Sequence, residues 1–147
     1  MKVHADNNET ILKDNRPIMI IDNDFMDELL QQAQASPRLR MNYDLRTTVG
    51  DQSQRMLNAM LPGTSLPIHR HTQTTEVVII MRGSMDEIFY DDEGRETARY
   101  HLDPSTGHCA LSIPQGQWHT VEVLTPTVIF EAKDGPWAPL QPEDTLV

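Results

Sequence analysis

Cysteine is almost absent. Cys109 is the only one in 147 residues, so no intrachain disulfide can form and burial must hold the fold. Its place in the alternating apolar stretch HCALSI predicts a buried, inert thiol. Positive charge is scarce as well: 12 Lys and Arg against 22 Asp and Glu leave a net charge of −10. Such a field repels phosphate backbones and anionic lipid, so neither nucleic acid nor membrane is an expected partner. No run of about 18 apolar residues is present to form a spanning helix, and the opening stretch MKVHADNNETILKDNRP has no apolar leader core. A cytoplasmic location is expected. Internal repeats and low-complexity tracts are also missing.

What remains is an ordinary globular composition, 38% hydrophobic and 23% charged, at a length that suits one domain with a real core. Residues 1–17 are polar and lack a clean period, which predicts a frayed arm or a single edge strand. The stretch MIIDNDFMDELLQQAQASP predicts a helix. Asp22 or Asn23 can cap it, Asp24, Asp27 and Glu28 suit its N-terminal end, and Pro37 stops it. Phe25, Met26, Leu29, Leu30 and Ala33 recur at helical spacing and form one apolar face.

Beyond Pro37 the pattern changes to short extended runs: RMLNAML, TEVVIIMRG, MDEIFYDDEG, ARYHLD, HCALSIP, WHTVEVL and TVIFEAK. Turn residues such as Asp92-Glu93-Gly94 and Pro104-Ser105-Thr106-Gly107 separate them. Close, even spacing without helical crossovers indicates a small all-β sandwich or barrel. The expected layout is an arm and helix over 1–50, a barrel over 51–134 and a coil over 135–147, all in one domain.

Within the barrel, PGTSLPIHRHTQTTEVVIIMRG spells G-x5-H-x-H-x4-E-x6-G with Gly63, His69, His71, Glu76 and Gly83. Residues two apart on a strand face the same way, so His69 and His71 both point inward, and a turn over 72–75 returns Glu76 beside them on the next strand. Two imidazoles and a carboxylate at one point are three ligands of an open metal site. Later, GHCALSIPQGQWH gives G-x6-P-x-G-x2-H, placing His119 at the start of another strand as a fourth ligand.

These two segments resemble the paired signature motifs of the cupin superfamily. The second departs slightly, with one extra residue after Gly107 and Val123 where an asparagine often stands. The resemblance implies a cupin double-stranded β-helix, or jelly-roll barrel, with one N-terminal helix. It also implies one divalent ion (Zn, Fe, Mn or Ni) on His69, His71, Glu76 and His119, and a homodimer. Because imidazoles bind only when neutral, occupancy is expected to fall as pH drops through about 6.

Over most of the chain SPRLRMNYDLR, QRMLNAMLPGTSLPIHRH, the DDEG turn and FEAKDGPW look like the WbuC-type small cupins of bacterial surface-polysaccharide gene clusters. That implies a sugar-like or anionic substrate and marks Arg38, Arg40, Asn42, Gln54, Arg55 and Asn58 as candidate pocket groups. Gln54 and Asn58 share one strand face and Arg55 the other, so they line one pocket only if a bulge intervenes. His4, His101 and His108 match no ligand position. Trp118 alternates away from His119 and is expected to pack. Glu131 and Lys133 form a strand-end pair or reach the barrel mouth, and spacing does not decide which. Two kinds of function fit: a metal-dependent enzyme on a sugar or nucleotide-sugar precursor, isomerase-like or epimerase-like, with a dioxygenase as second enzyme class; or a binding or regulatory module that uses the metal without catalysis.

Overall fold

A computed structural model of the chain describes residues 10–12 and 18–146. The elements in chain order are β1 (Thr10–Leu12), α1 (Asn23–Ala35), β2 (Arg40–Asp44), β3 (Gln54–Met60), β4 (Ile68–His69), β5 (Glu76–Arg82), β6 (Met85–Tyr90), β7 (Glu96–Leu102), β8 (Ala110–Ile113), β9 (Trp118–Val123), β10 (Thr127–Lys133) and β11 (Thr145–Leu146). They form a six-stranded sheet in the order β1-β2-β3-β10-β5-β8 and a five-stranded sheet in the order β11-β4-β9-β6-β7. All pairings are antiparallel except β1 with β2. This is the expected jelly roll, with one α-helix among the described residues. No helix among the described residues is long and apolar enough to cross a membrane.

The helix forms as its sequence dictates. Phe25 N donates to the Asp22 carboxylate at 3.0 Å, satisfying an end donor, and the chain turns extended at Ser36, just before Pro37. Met26, Leu29 and Ala33 are buried against Met41, Tyr43, Leu57, Ala59 and Val128 on the outer face of the six-stranded sheet. Alternation then sends Met60, Val78, Ile80 and Ile129 to the inner face, where they meet Met85, Phe89 and Val123 of the facing sheet.

The flanking segments contribute more than the sequence pattern suggested. β2 lies within 1–50 yet pairs along its whole length with β3, because Met41 and Tyr43 have the helix to cover them. The C-terminal stretch is coil as far as Gln141, after which β11 pairs with β4 at the sheet edge. Such edge placement suits a Pro-rich tail. Of the polar arm at 1–17, residues 10–12 form the edge strand β1; the remainder, with His4, lies outside the described residues.

Gly83, at φ +90°, makes the β5–β6 turn, and a Cβ there would stand 2.2 Å from the Pro126 carbonyl oxygen. Cys109 corrects an expectation: it is exposed. It precedes β8, the last strand of its sheet, where Ala110 and Ser112 of the outer face are also uncovered.

Candidate metal centre

The inner faces run from apolar to polar along the barrel. Met60, Ile80, Ile129 and Met85 fill one end. Two residues further along their strands stand Asn58, Val78, Glu131 and Glu87, and Glu76 and Lys133 follow as direct cross-strand partners. The facing strand β9 brings His119 to the same level, paired with His69 of β4.

His69, His71 and His119 each direct one ring nitrogen into a common space, all within 4.8 Å of one another. Their ring centroids are 4.3 Å (69 to 119), 5.0 Å (69 to 71) and 5.7 Å (71 to 119) apart. Nδ1 of His69 donates to the Pro67 carbonyl and Nδ1 of His119 to the Gln117 carbonyl, each at 2.9 Å. A carbonyl can only accept, so the proton sits on Nδ1 and the Nε2 lone pair is free to face inward.

Glu76 arrives differently from the expectation. It does not return on the strand beside His69; it belongs to the other sheet and reaches across the barrel. Its Oε2 lies 3.5 Å from Nε2 of His71 and 3.5 Å from Nε2 of His119. Bonds of about 2.1 Å at a near-tetrahedral angle separate ligand atoms by about 3.4 Å, so this spacing suits a shared cation. The same Oε2 is buried without a hydrogen-bond partner among the described residues. A buried anion and lone pairs converging on one point favour a cation between them. The residues present therefore fit a divalent ion.

The electrostatics point the same way. Burial lowers His69 to about 4, with help from His119, and lowers His71 to about 3, with help from Lys133. Both imidazoles are thus neutral and ready to bind. Burial by itself would raise Glu76, but the contact with His119 and the charge of Lys133 outweigh it and lower the carboxylate below its ordinary range.

Two further carboxyls enter the barrel. Burial, then the neighbouring Glu76, pushes Glu131 up to about 7. Burial, then Glu76 and Glu131, raises Glu87 well above the ordinary carboxyl range, and its Oε2 has no partner among the described residues. Glu131 thus faces the barrel interior. Glu87 escaped the sequence reading, although a signal was there: in Met85-x-Glu87-x-Phe89 it holds an apolar-face position of an alternating strand.

The candidate pocket groups divide. Asn42 and Asn58 are cross-strand partners, and each has a buried Oδ1 without a partner among the described residues. Arg40 shares their face, at the level of Met60, and donates to Ser65 O at 3.0 Å. Gln54 donates to Gly135 O at 3.1 Å beside Lys133. Arg55 is on the other face, as alternation requires, paired with Asp51 at 2.8 Å. Arg38 stands in the turn between α1 and β2. Arg55, on that other face, is not brought to the histidine cluster. His101 pairs with Asp86 at the surface and His108 is exposed.

A family model described as a domain of unknown function, DUF6016, matches residues 21–102. No curated protein matches the sequence. Among solved structures, the capsular polysaccharide assembling protein CapF of Staphylococcus aureus superposes with a TM-score of 0.62 at 22% identity, over 76% of this chain and 32% of CapF. An oxalate oxidase in complex with the substrate analogue glycolate gives 0.57 at 17% identity, over 73% of this chain and 56% of that one. An oxalate decarboxylase gives 0.55 at 18% identity, over 68% and 27%. The chain therefore spans about a third of CapF and about half of the oxidase. These likenesses show the fold, a cupin jelly roll.

Proposed function

The chain belongs to the DUF6016 family, and from that premise we propose that it is a metal-binding cupin holding one divalent ion through His69, His71, Glu76 and His119. One observation carries this reading: the buried Glu76 Oε2, without a hydrogen-bond partner among the described residues, stands equally spaced from two imidazole nitrogens. A three-nitrogen, one-oxygen set accepts Zn, Fe, Mn or Ni.

The chemistry beside this cluster favours an enzyme that moves a proton on a sugar or nucleotide-sugar precursor, of isomerase or epimerase type. A divalent ion in the cluster would supply Lewis acidity toward a carbonyl oxygen. Glu131, buried beside Glu76 and raised above the ordinary carboxyl range in the metal-free protein, is the group suited to take a proton and return it. Asn42 and Asn58 offer buried amide oxygens, without a hydrogen-bond partner among the described residues, to hydroxyl donors. CapF, which shares the fold, is a capsular polysaccharide assembling protein, in line with this substrate class.

The test is twofold. Elemental analysis should find near-stoichiometric metal in the purified protein and none in the His69→Ala, His71→Ala double variant. Incubation with a panel of nucleotide sugars in deuterated water should then put deuterium on a sugar carbon. Metal without deuterium uptake would leave a metal-dependent binding module. The same donor set suits redox-active iron or manganese, so oxygen consumption would point instead to a dioxygenase. The homodimer and the cytoplasmic location remain part of the proposal; sedimentation and fractionation test them.

A further inference from the structure

We infer that Arg70 is a positioning residue for the His69 and His71 pair, clamped from the outer face of the barrel between the Trp118 ring and a C-terminal clasp made by Asp144. The inference rests on the metal reading above.

Strand β4 is only two residues long and meets β9 at a single register pair, His69 with His119. Two further bonds tie the segment to the β9 side, Gly116 N to His71 O and Thr120 Oγ1 to Leu66 O, each at 2.9 Å, and the orientation of its side chains is left to what the side chains themselves touch. Residues alternate, so whatever holds the outward residue between the two histidines also holds the histidines.

That outward residue is Arg70. Its guanidinium lies 4.4 Å from the centre of the Trp118 ring, and Trp118 neighbours His119 on β9. The two strands thus present His69 with His119 inward and Arg70 with Trp118 outward. Trp118 is fixed in turn, its Nε1 donating to Asp92 at 3.0 Å.

On the other side, Arg70 Nε donates to the Asp144 carboxylate at 3.2 Å, its Nη2 to Glu143 O at 3.3 Å and its backbone N to Asp144 O at 3.0 Å. The following residues, Thr145 and Leu146, pair with His69 and Ile68 as β11. The chain's last described turn therefore serves as the second wall of a two-residue strand. The Arg70 and Asp144 side chains are 29% and 14% exposed, a partly sheltered pair in which geometry counts for more than at an open surface.

Cobalt(II), whose visible spectrum reports coordination geometry, is the probe. Wild type, Arg70→Gln and Asp144→Asn are compared for cobalt dissociation constant, visible spectrum and melting temperature of the metal-free protein. Partners that orient ligands typically change affinity ten- to a hundredfold. The expected result is at least a tenfold weaker cobalt complex with an altered spectrum in both variants, at metal-free melting temperatures close to wild type. Unchanged affinity and spectrum in both, with wild type binding normally, would overturn the clamp and leave the metal reading intact. A collapse of the metal-free melting temperature in both would make the pair a stability feature and overturn it too. Failure of wild type to bind cobalt would overturn the metal reading and the clamp together.

Discussion

Proton competition for the metal offers a quantitative check on the site. An imidazole with the ordinary value near 6.5 is about 97% protonated at pH 5, which weakens a metal bond through it by roughly thirtyfold. Two such imidazoles would cost close to a thousandfold. His69 and His71 are lowered to about 4 and about 3. The sign follows from burial: a base lowered in the folded state keeps its neutral form to lower pH, so protons compete below about pH 4 and not through 6. At pH 5 the two side chains together weaken binding by less than a factor of about two. Glu76, lowered below its ordinary range, is still ionised there. The expected outcome is a zinc or cobalt dissociation constant, measured by competition titration, that rises only modestly from pH 7 to pH 5. A weakening of several hundredfold would therefore refute the burial argument and restore the window near pH 6 that the sequence suggested.

Other perturbations test other parts of the molecule. Gly83→Ala places a Cβ 2.2 Å from a carbonyl oxygen at φ +90°; a loss of about 3 kcal/mol in urea unfolding is expected, and a loss under about 1 would contradict the close approach. Asp22→Ala removes the acceptor for Phe25 N and should cost about 1 kcal/mol by the same assay, with metal affinity unchanged. Glu87, raised in the folded state, contributes stability present below its ordinary value of about 4.5 and lost as pH rises toward its folded value. The metal-free Glu87→Gln variant should accordingly show a flatter melting profile between pH 5 and 8 than wild type, and parallel profiles would count against a buried carboxyl. Exposed Cys109 should react stoichiometrically with a thiol reagent in the native protein; reaction only after unfolding would restore the buried thiol.

How much of this was legible in advance varies by element. The helix was readable because a capping Asp, a 3.6-residue apolar stripe and Pro37 all agree on one segment. Strands β5, β6, β9 and β10 were readable from alternation, down to the inward sense of His69, His71, Glu76 and His119. Strand β2 was not: Arg-Met-Asn-Tyr-Asp is short and fell outside the extended runs marked by the pattern. Only the helix lying over Met41 and Tyr43 makes it a sheet member. Period-two alternation assigns a side chain to a face and cannot say which sheet the strand joins, so Glu76 was expected beside His69 and came from the opposite sheet.

The sequence by itself determined the four candidate donors, the face on which each stands and the two glycine-bearing motifs, since these depend on local backbone geometry within a few residues. Tertiary structure alone decided that Glu87 and Glu131 share the barrel with Glu76, that burial keeps the imidazoles neutral, and that Arg70 is held between Trp118 and Asp144. Each of those depends on separations between residues tens of positions apart and on the water that packing excludes. Neither is encoded in the spacing of neighbours along the chain.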